Sequence, residues 1–363
     1  VHSRAQEFLL PDIQNTDTPL LSAGGNGGSK ALFYFPAFHA SGVIGMVLFP
    51  LLRGVVPVYP PTWTTPCEVI EGALAVLDVL AAEAKEDNSK SEGKVVDSIS
   101  FPPPFIEYLG AHSDLLEKLS QGVETVFWAG GSVSRSAGNA VAAKMNVVNA
   151  LASTEMGIWP TISRAGANMR DGLWEYMSPH PALNMRFDPI SETPEGTAYE
   201  AVLVKNDGVD WDGYVQPLFK VYEGVEEKRL GDLFRQHPND ATLWKHYGRA
   251  DDLLVFITNE KFHPAAAEQR LASHPSVAEC MLVGTRRATA SLILRLQDGG
   301  KILSEDVWTL IEEVNRDSPV YARVEKEMVI AVDKPFERTE KGSVQKRQML
   351  ELYKEQVDGL YER

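Results

Sequence analysis

Only two cysteines occur in 363 residues, Cys67 and Cys280, and neither sits in a metal-ligand spacing. A disulfide scaffold or a zinc site finds no support, and a reducing, cytoplasmic setting is expected. Long apolar runs are missing as well. The most apolar stretch, Gly42 to Leu52, contains Pro50 and stops at Arg53. That is well short of the roughly 20 residues a membrane-spanning helix needs, so a buried core helix is predicted there. Basic charge is scarce: 35 Lys and Arg stand against 50 Asp and Glu, a net charge of −15. Such a surface repels phosphate backbones and anionic lipid, which argues against nucleic acid and membrane as partners. No basic-then-apolar leader opens the chain, and Val1 is not a start residue. The sequence is therefore expected to begin inside a larger protein.

What is present is the composition of a folded globular chain, 44% apolar and 23% charged, long enough for two or more domains. From Ala31 to Asn149, strand-like runs at Leu32–Phe35, Val55–Tyr59, Ser98–Phe101, Thr125–Trp128 and Val147–Leu151 alternate with helical patterns. The helical patterns are Cys67–Ala84, Phe105–Leu119 and Ser134–Lys144. This alternation predicts an α/β fold with a mostly parallel, helix-flanked sheet. Residues 165–235 turn rich in Gly, Pro and β-prone pieces such as Thr197–Val204 and Leu218–Tyr222, which predicts a small antiparallel sheet or barrel. After Gly248 come a strand at Leu253–Thr258, a helix from Pro264 and strands at Ala278–Val283 and Ser291–Leu296. These suggest a separate α+β unit, so the expected domains are 1–247 and 248–363. Gly24 to Gly28 reads as a flexible loop.

Three expected strand ends carry small or polar groups: Phe38-His39-Ala40-Ser41-Gly42, Gly130-Gly131-Ser132 and Ser153-Thr154-Glu155. The carboxyl ends of strands are where open α/β sheets bind ligands. Thr154 and Glu155 pair a hydroxyl with a carboxylate, suited to a phosphate oxygen and a magnesium ion. The same pair taken alone is more often an ordinary helix start. Gly130 and Gly131 let a flat ligand approach the backbone, though a double glycine is also a plain turn, and His39 alone is more often a packing residue.

The second half carries three longer motifs: Arg229-Leu230-Gly231-Asp232-Leu233-Phe234, then Trp244 to Asp252 around Gly248-Arg249-Ala250-Asp251-Asp252, then Arg338-Thr339-Glu340-Lys341-Gly342-Ser343-Val344. Together and in this order they resemble the adenylate-forming superfamily of acyl-CoA synthetases, luciferases and adenylation domains. The resemblance is strongest to the fungal branch related to non-ribosomal peptide synthetases, and it runs from about Ala31 to the end. It implies a partial large domain, comprising the flanked sheet and a small β-barrel, followed by a small α+β lid. It also implies ATP and Mg2+ as cofactors, a small carboxylic acid as substrate, and the phosphopantetheine thiol of a carrier domain in cis as acyl acceptor. By resemblance Lys341, His39, Thr154 and Glu155 are catalytic, with Glu155 on the metal. Gly130, Gly131, Ser132, Leu151, Ser153, Asp232 and Arg249 contact the nucleotide. Asp251 is the hinge, and Asn259, Glu260 and Lys261 line the pantetheine path.

Several departures from the family pattern matter. No Ser/Thr/Gly-rich phosphate loop precedes Phe38-His39, since Gly24–Lys30 has glycines without the hydroxyl run. The backbone N–H cradle for the outer phosphates is thus missing from this stretch, and the chain alone is expected to adenylate poorly. Leu151 replaces an adenine-stacking tyrosine, Ala152 replaces a glycine, and Asn259 replaces a turn glycine. Asn tolerates positive φ better than most residues, so the turn is expected to survive. His39 stands where amino-acid-activating relatives carry Asp. A non-amino acid is therefore expected, aryl or keto, with Phe38, Trp128 and Trp159 near the pocket. The alternatives are a free-standing acyl-CoA ligase and a non-catalytic carrier-docking or acyl-binding remnant.

Overall fold

The computed structural model describes residues 29–35, 40–58, 65–86, 94–153, 156–162, 172–193, 196–206, 216–300, 302–338 and 344–362. The Gly24–Gly28 loop lies outside them. The chain divides into two compact units, one of Val1–Phe187, Ala201–Leu230 and Gln236–His246, the other of Asp188–Glu200, Gly231–Arg235 and Tyr247–Arg363.

The first unit is organised by strands β1 (Lys30–Phe33), β2 (Val56–Val58), β3 (Val96–Phe101), β4 (Val123–Trp128) and β5 (Asn146–Asn149), in the order β2-β1-β3-β4-β5. Every pair is parallel. The strands read as near-continuous apolar runs because helices cover the sheet. α1 (Ala40–Val43) passes through a π-helical turn, Ile44–Leu48, into α2 (Phe49–Arg53). This stretch is a helix as expected but is not wholly buried. Ile44 and Phe49 pack on β1, while Val43, Val47 and Leu51 are exposed. α3 (Pro66–Glu86) buries Val69, Ile70, Ala73 and Leu77, the spacing of one helical face.

The expected single helix Phe105–Leu119 is two, α4 (Pro103–Ala111) and α5 (Ser113–Gly122). They part at His112, whose Nδ1 lies 2.7 Å from the Tyr108 carbonyl and whose backbone leaves the helical region (φ −122°, ψ 82°). α6 (Arg135–Ala142) is capped by Ser134, which accepts from the Ala137 N–H. At Gly138 on this helix a Cβ would stand 2.0 Å from the Trp174 ring, so the glycine makes room for a large buried indole.

A short hairpin follows β5, made of β6 (Ala152–Ser153) and β7 (Gly157–Ile158). A second five-stranded sheet contains β8 (Tyr176–Met177), β9 (Met185–Thr193), β10 (Gly196–Val204), β11 (Glu227–His237) and β12 (Asp240–Arg249). Its order is β8-β12-β11-β10-β9. Leu218–Tyr222, expected to be β-prone, is instead a helical turn, α7 (Leu218–Val221). Pro217 precedes it with φ −60° and ψ −33°, a φ that the ring fixes at a value the first turn of a helix accepts. Gln216 is buried and ties this region together, donating to the Leu183 and Val204 carbonyls at 2.7 Å and accepting from the Asn206 N–H at 2.8 Å.

In the second unit, only Leu254–Val255 of the expected Leu253–Thr258 strand is β13; it pairs antiparallel with β14 (Lys261–Phe262). α8 (Ala265–Ala272) leads into β15 (Val277–Val283) and β16 (Ala290–Leu296), which are antiparallel. α9 (Glu305–Asp317) returns the chain to β17 (Val324–Val332), parallel to β16. α10 (Lys346–Leu352) and α11 (Lys354–Leu360) end the unit. The sheet is covered on both sides. Leu282, Leu292 and Leu294 pack with Leu271, Val307 and Ile311, whereas Met281, Val283 and Ile293 pack with Met349, Tyr353 and Val357.

Candidate functional site

In the first unit the positions drawn from two strand ends meet at one sheet edge. Trp128, the last residue of β4, is in register with Asn149, the last of β5. The Ala150 N–H donates to the Trp128 carbonyl at 2.8 Å. Gly130-Gly131-Ser132 and Leu151-Ala152-Ser153 therefore leave the sheet side by side. Gly130 adopts φ 93°, a conformation that favours glycine, and among the described residues beyond its chain neighbours no atom lies within 4 Å of the place a Cβ would occupy. This is the open backbone that a flat ring could approach. Leu151 and Ser153 are half-buried, and the Leu151 carbonyl accepts from the Trp159 N–H at 2.8 Å. Ser153 Oγ accepts from the Met156 N–H at 3.2 Å, closing the connection between β6 and β7. The expected catalytic and metal residues Thr154 and Glu155 lie on that connection, outside the described residues, as do His39 and Phe38.

The loop after β4 is held from behind by a carboxylate that the sequence did not flag. Glu107 accepts from the Ser134 hydroxyl at 2.6 Å and from the Ser134 N–H. The aromatic residues expected beside the pocket have another place. Trp128 is 7% exposed and meets Trp174 edge to face at 6.2 Å, and Trp159 is 2% exposed. Both are buried side chains, and Phe38, the third aromatic residue of that expectation, lies outside the described residues.

In the second unit the candidates are charged and joined. Asp232 on β11 and Arg249 at the end of β12 form an ion pair, with Arg249 Nη1 3.2 Å from Asp232 Oδ2. The Asp232 side chain is only 14% exposed. Gly231 makes the approach possible: its φ is 72°, and a Cβ there would stand 2.9 Å from Arg249 Nη2. Arg249 also lies 3.6 Å from Asp251, whose side chain is 87% exposed on the turn Ala250–Asp252. The guanidinium thus orients a carboxylate whose oxygens can accept from hydroxyl groups. Glycine is required again at Gly248, where φ is 136° and a Cβ would overlap the buried His263 ring at 2.1 Å.

The β13–β14 turn keeps its shape without glycine. Asn259 has φ 67°, its N–H donates to the Phe256 carbonyl at 3.0 Å, and the Phe256 N–H donates to the Glu260 carbonyl at 2.9 Å. Asn259 and Glu260 are exposed, while Lys261 turns inward and donates to the Ile190 carbonyl at 3.1 Å. Lys341 lies outside the described residues. Upstream of it, Arg338 is bonded to Glu279, which is buried at 7% exposure and bonded also to Arg295. Sequence reading missed this residue, although an acidic residue inside the apolar run Val277-Ala278-Glu279-Cys280-Met281-Leu282-Val283 is a signal that a buried partner awaits it.

Among the described residues no group of three His, Cys, Asp or Glu could hold a metal, and no helix is long and apolar enough to cross a membrane. Both cysteines are free, and burial pushes the Cys280 thiol far up. This is the behaviour of a packing residue.

Residues 251–363 match the AMP-binding enzyme C-terminal domain. Adenylate-forming reductase Nps11 of Serpula lacrymans is 27% identical over 90% of this chain and 29% of its own length. A carboxylic acid reductase of Neurospora crassa is likewise 27% identical, over 90% of this chain and 30% of its own length. The chain thus spans about a third of these curated relatives. Among solved structures, the O-succinylbenzoate coenzyme A synthetase of Bacillus subtilis in complex with AMP superposes with a TM-score of 0.62 at 16% identity, covering 91% of this chain and 63% of that one. A benzoate coenzyme A ligase of Burkholderia xenovorans gives 0.56 at 18% identity, covering 89% and 61%. Residues 251–363 thus match the AMP-binding enzyme C-terminal domain, and the chain as a whole is similar, at 27% identity over 90% of its length, to an adenylate-forming reductase and a carboxylic acid reductase.

Proposed function

We propose that the intact protein joins a small non-amino carboxylic acid to AMP at the expense of ATP and then passes the acyl group to a thiol. The observation that carries this reading is the Asp232–Arg249 pair closed over Gly231. A carboxylate oriented by a guanidinium is suited to accept from a ribose diol, and Gly130, Gly131, Ser132, Leu151 and Ser153 offer an open backbone edge and an apolar platform for the base. Thr154 and Glu155 hold phosphate and magnesium in this reading, and His39 lies by the substrate. In the first step a carboxylate oxygen attacks the α-phosphorus and the bond to pyrophosphate breaks. Lys341 offsets the charge of two anions forced together, and Asp251 is the pivot about which the residues after it turn for the second step. There the thiol sulfur attacks the acyl carbon, AMP leaves and the thiol proton passes to solvent. Positioning and charge stabilisation serve both steps.

Two thiols fit the second step, coenzyme A and a carrier-bound phosphopantetheine, which share the arm that Asn259, Glu260 and Lys261 would line. Coenzyme A is favoured by the coenzyme A ligases among the solved structures of this fold. The carrier is favoured by the reductase relatives, which are some three times longer than this chain. Acid-dependent exchange of pyrophosphate into ATP by the intact protein tests the first step. Chasing the adenylate with free coenzyme A or with the protein's own thiolated regions separates the acceptors. No exchange with any carboxylic acid would leave the remnant reading in its place.

A further inference from the structure

The loop that leaves β4 is placed from its two ends. At the near end Trp128 is buried, and its carbonyl accepts from the Ala150 N–H at 2.8 Å. At the far end Val133 is buried in the core of the first unit. Between them Gly130, Gly131 and Ser132 are exposed, and among the described residues none of the three makes a backbone–backbone hydrogen bond. Their N–H and carbonyl groups are left for solvent or a ligand, and their place depends on what holds the ends.

Glu107 holds the far end. It stands on α4 flanked by the fully buried Ile106 and Leu109. There α4 lies so close to α6 that a Cβ on Gly110 would stand 2.5 Å from Ala137 Cα. Both carboxylate oxygens go to one residue: Oε2 accepts from the Ser134 hydroxyl at 2.6 Å, and Oε1 from the Ser134 N–H. Capping α6 does not require them, because the Ser134 hydroxyl by itself accepts from the Ala137 N–H at 3.2 Å. The Ser134 N–H belongs instead to the Val133–Ser134 peptide, the last of the loop. The first turn of α4 also meets the loop directly, since a Cβ on Gly131 would stand 3.3 Å from Pro103 Cγ.

We propose that Glu107 is a positioning residue for the nucleotide: by holding the Val133–Ser134 peptide against α4, it sets where the open Gly130–Ser132 backbone meets the base. The proposal rests on the reading above that this edge receives the base. Glu107 makes no contact with the nucleotide in this role, and its effect runs through the shape of the loop. Glu107→Met keeps the length and helix propensity of the side chain and removes both acceptors. Glu107→Gln can keep both contacts, its carbonyl oxygen accepting from the Ser134 N–H and its amide donating to the Ser134 hydroxyl.

In the intact protein, Glu107→Met should raise KM for ATP in pyrophosphate exchange by about tenfold or more, with kcat and KM for the acid within about threefold of the parent. Preference for ATP over GTP should narrow in the same variant, because a loop without one fixed place reads the base less well. Glu107→Gln should bring KM for ATP back to within about threefold of the parent. Amide hydrogen exchange at Ser134 should quicken in Glu107→Met and not in Glu107→Gln. An unchanged KM for ATP in Glu107→Met, or a loss shared equally by ATP and acid, overturns the positioning role. So does a Glu107→Gln variant as impaired as Glu107→Met, since the two bonds would then not be what matters. If the parent exchanges pyrophosphate and Glu107→Met matches it, this inference alone fails. A parent that exchanges none takes the adenylation reading down as well.

Discussion

At the sheet edge of the first unit the described candidate positions are two glycines, two small hydroxyl residues and a leucine, whereas in the second unit they include Asp232, Arg249 and Asp251, with Arg338 bonded to the buried Glu279. The first set offers shape: Gly130 turns with φ 93° into open space, and Leu151 is an apolar surface. The second offers charge already oriented by charge. Substitutions in the first unit should therefore act through sterics and fold, and substitutions in the second through rate, affinity and pH.

The largest effect should come from Lys341→Ala in the intact protein. Removing one preorganised charge-stabilising group costs about 3 kcal/mol, so adenylate formation should fall a hundredfold or more while thiol transfer from supplied adenylate stays near normal. Loss of both steps alike would show that the lysine serves folding. Next is Asp232→Asn, which exchanges a charged acceptor for a neutral one. With charged hydrogen bonds worth ~1.5–3 kcal/mol, the KM for ATP should rise roughly tenfold to a hundredfold, measured by exchange at saturating acid. An unchanged KM would break the link between this pair and the nucleotide.

The first unit should answer differently. Gly138→Ala improves helix propensity by about 1 kcal/mol, but its Cβ would meet the fully buried Trp174 ring at 2.0 Å. Overpacking of this kind costs ~1–3 kcal/mol, so the clash should win and calorimetry should show a lower melting temperature with the ATP KM unchanged. A higher melting temperature would mean that the ring moves aside freely.

The smallest effect is the pH dependence of the second unit. Glu279 has a folded pKa below its unfolded value. Its contribution is present above the unfolded carboxylate range, around 4.5, and is lost as pH falls through the folded value. Acid unfolding followed by circular dichroism should therefore steepen below about pH 4.5, and Glu279→Gln should flatten that part of the curve. An identical acid limb in both proteins would mean that the carboxylate is no better held in the fold than in the open chain.

The sequence shows most where periodicity and local geometry decide structure. The five parallel strands sit within two residues of their expected starts because their apolar runs are bounded by turns. Asn259 kept its turn because asparagine tolerates positive φ. The failures have local causes outside the hydrophobic pattern. Leu218–Val221 is a helical turn that follows Pro217, whose ring holds φ at a helix-compatible value, and one expected helix is two at His112, whose ring lies against the Tyr108 carbonyl. Site residues that matched ordered motifs were readable, yet their pairing was not. Asp232 and Arg249 were each expected at the nucleotide, and only the β11–β12 arrangement with a glycine at 231 shows them paired with one another. Glu107 and Glu279 belong to no motif. Their roles come from contacts 27 and 59 residues away, which no local spacing encodes.

The central claim is most directly tested by incubating the intact protein with MgATP and single carboxylic acids, aryl, keto and amino, and looking for acyl-AMP by mass spectrometry alongside pyrophosphate release. The account predicts an acyl-AMP and one pyrophosphate per adenylate from a non-amino acid, and none from amino acids. Release of ADP and phosphate without acyl-AMP, or acyl-AMP formed only from an amino acid, would contradict it.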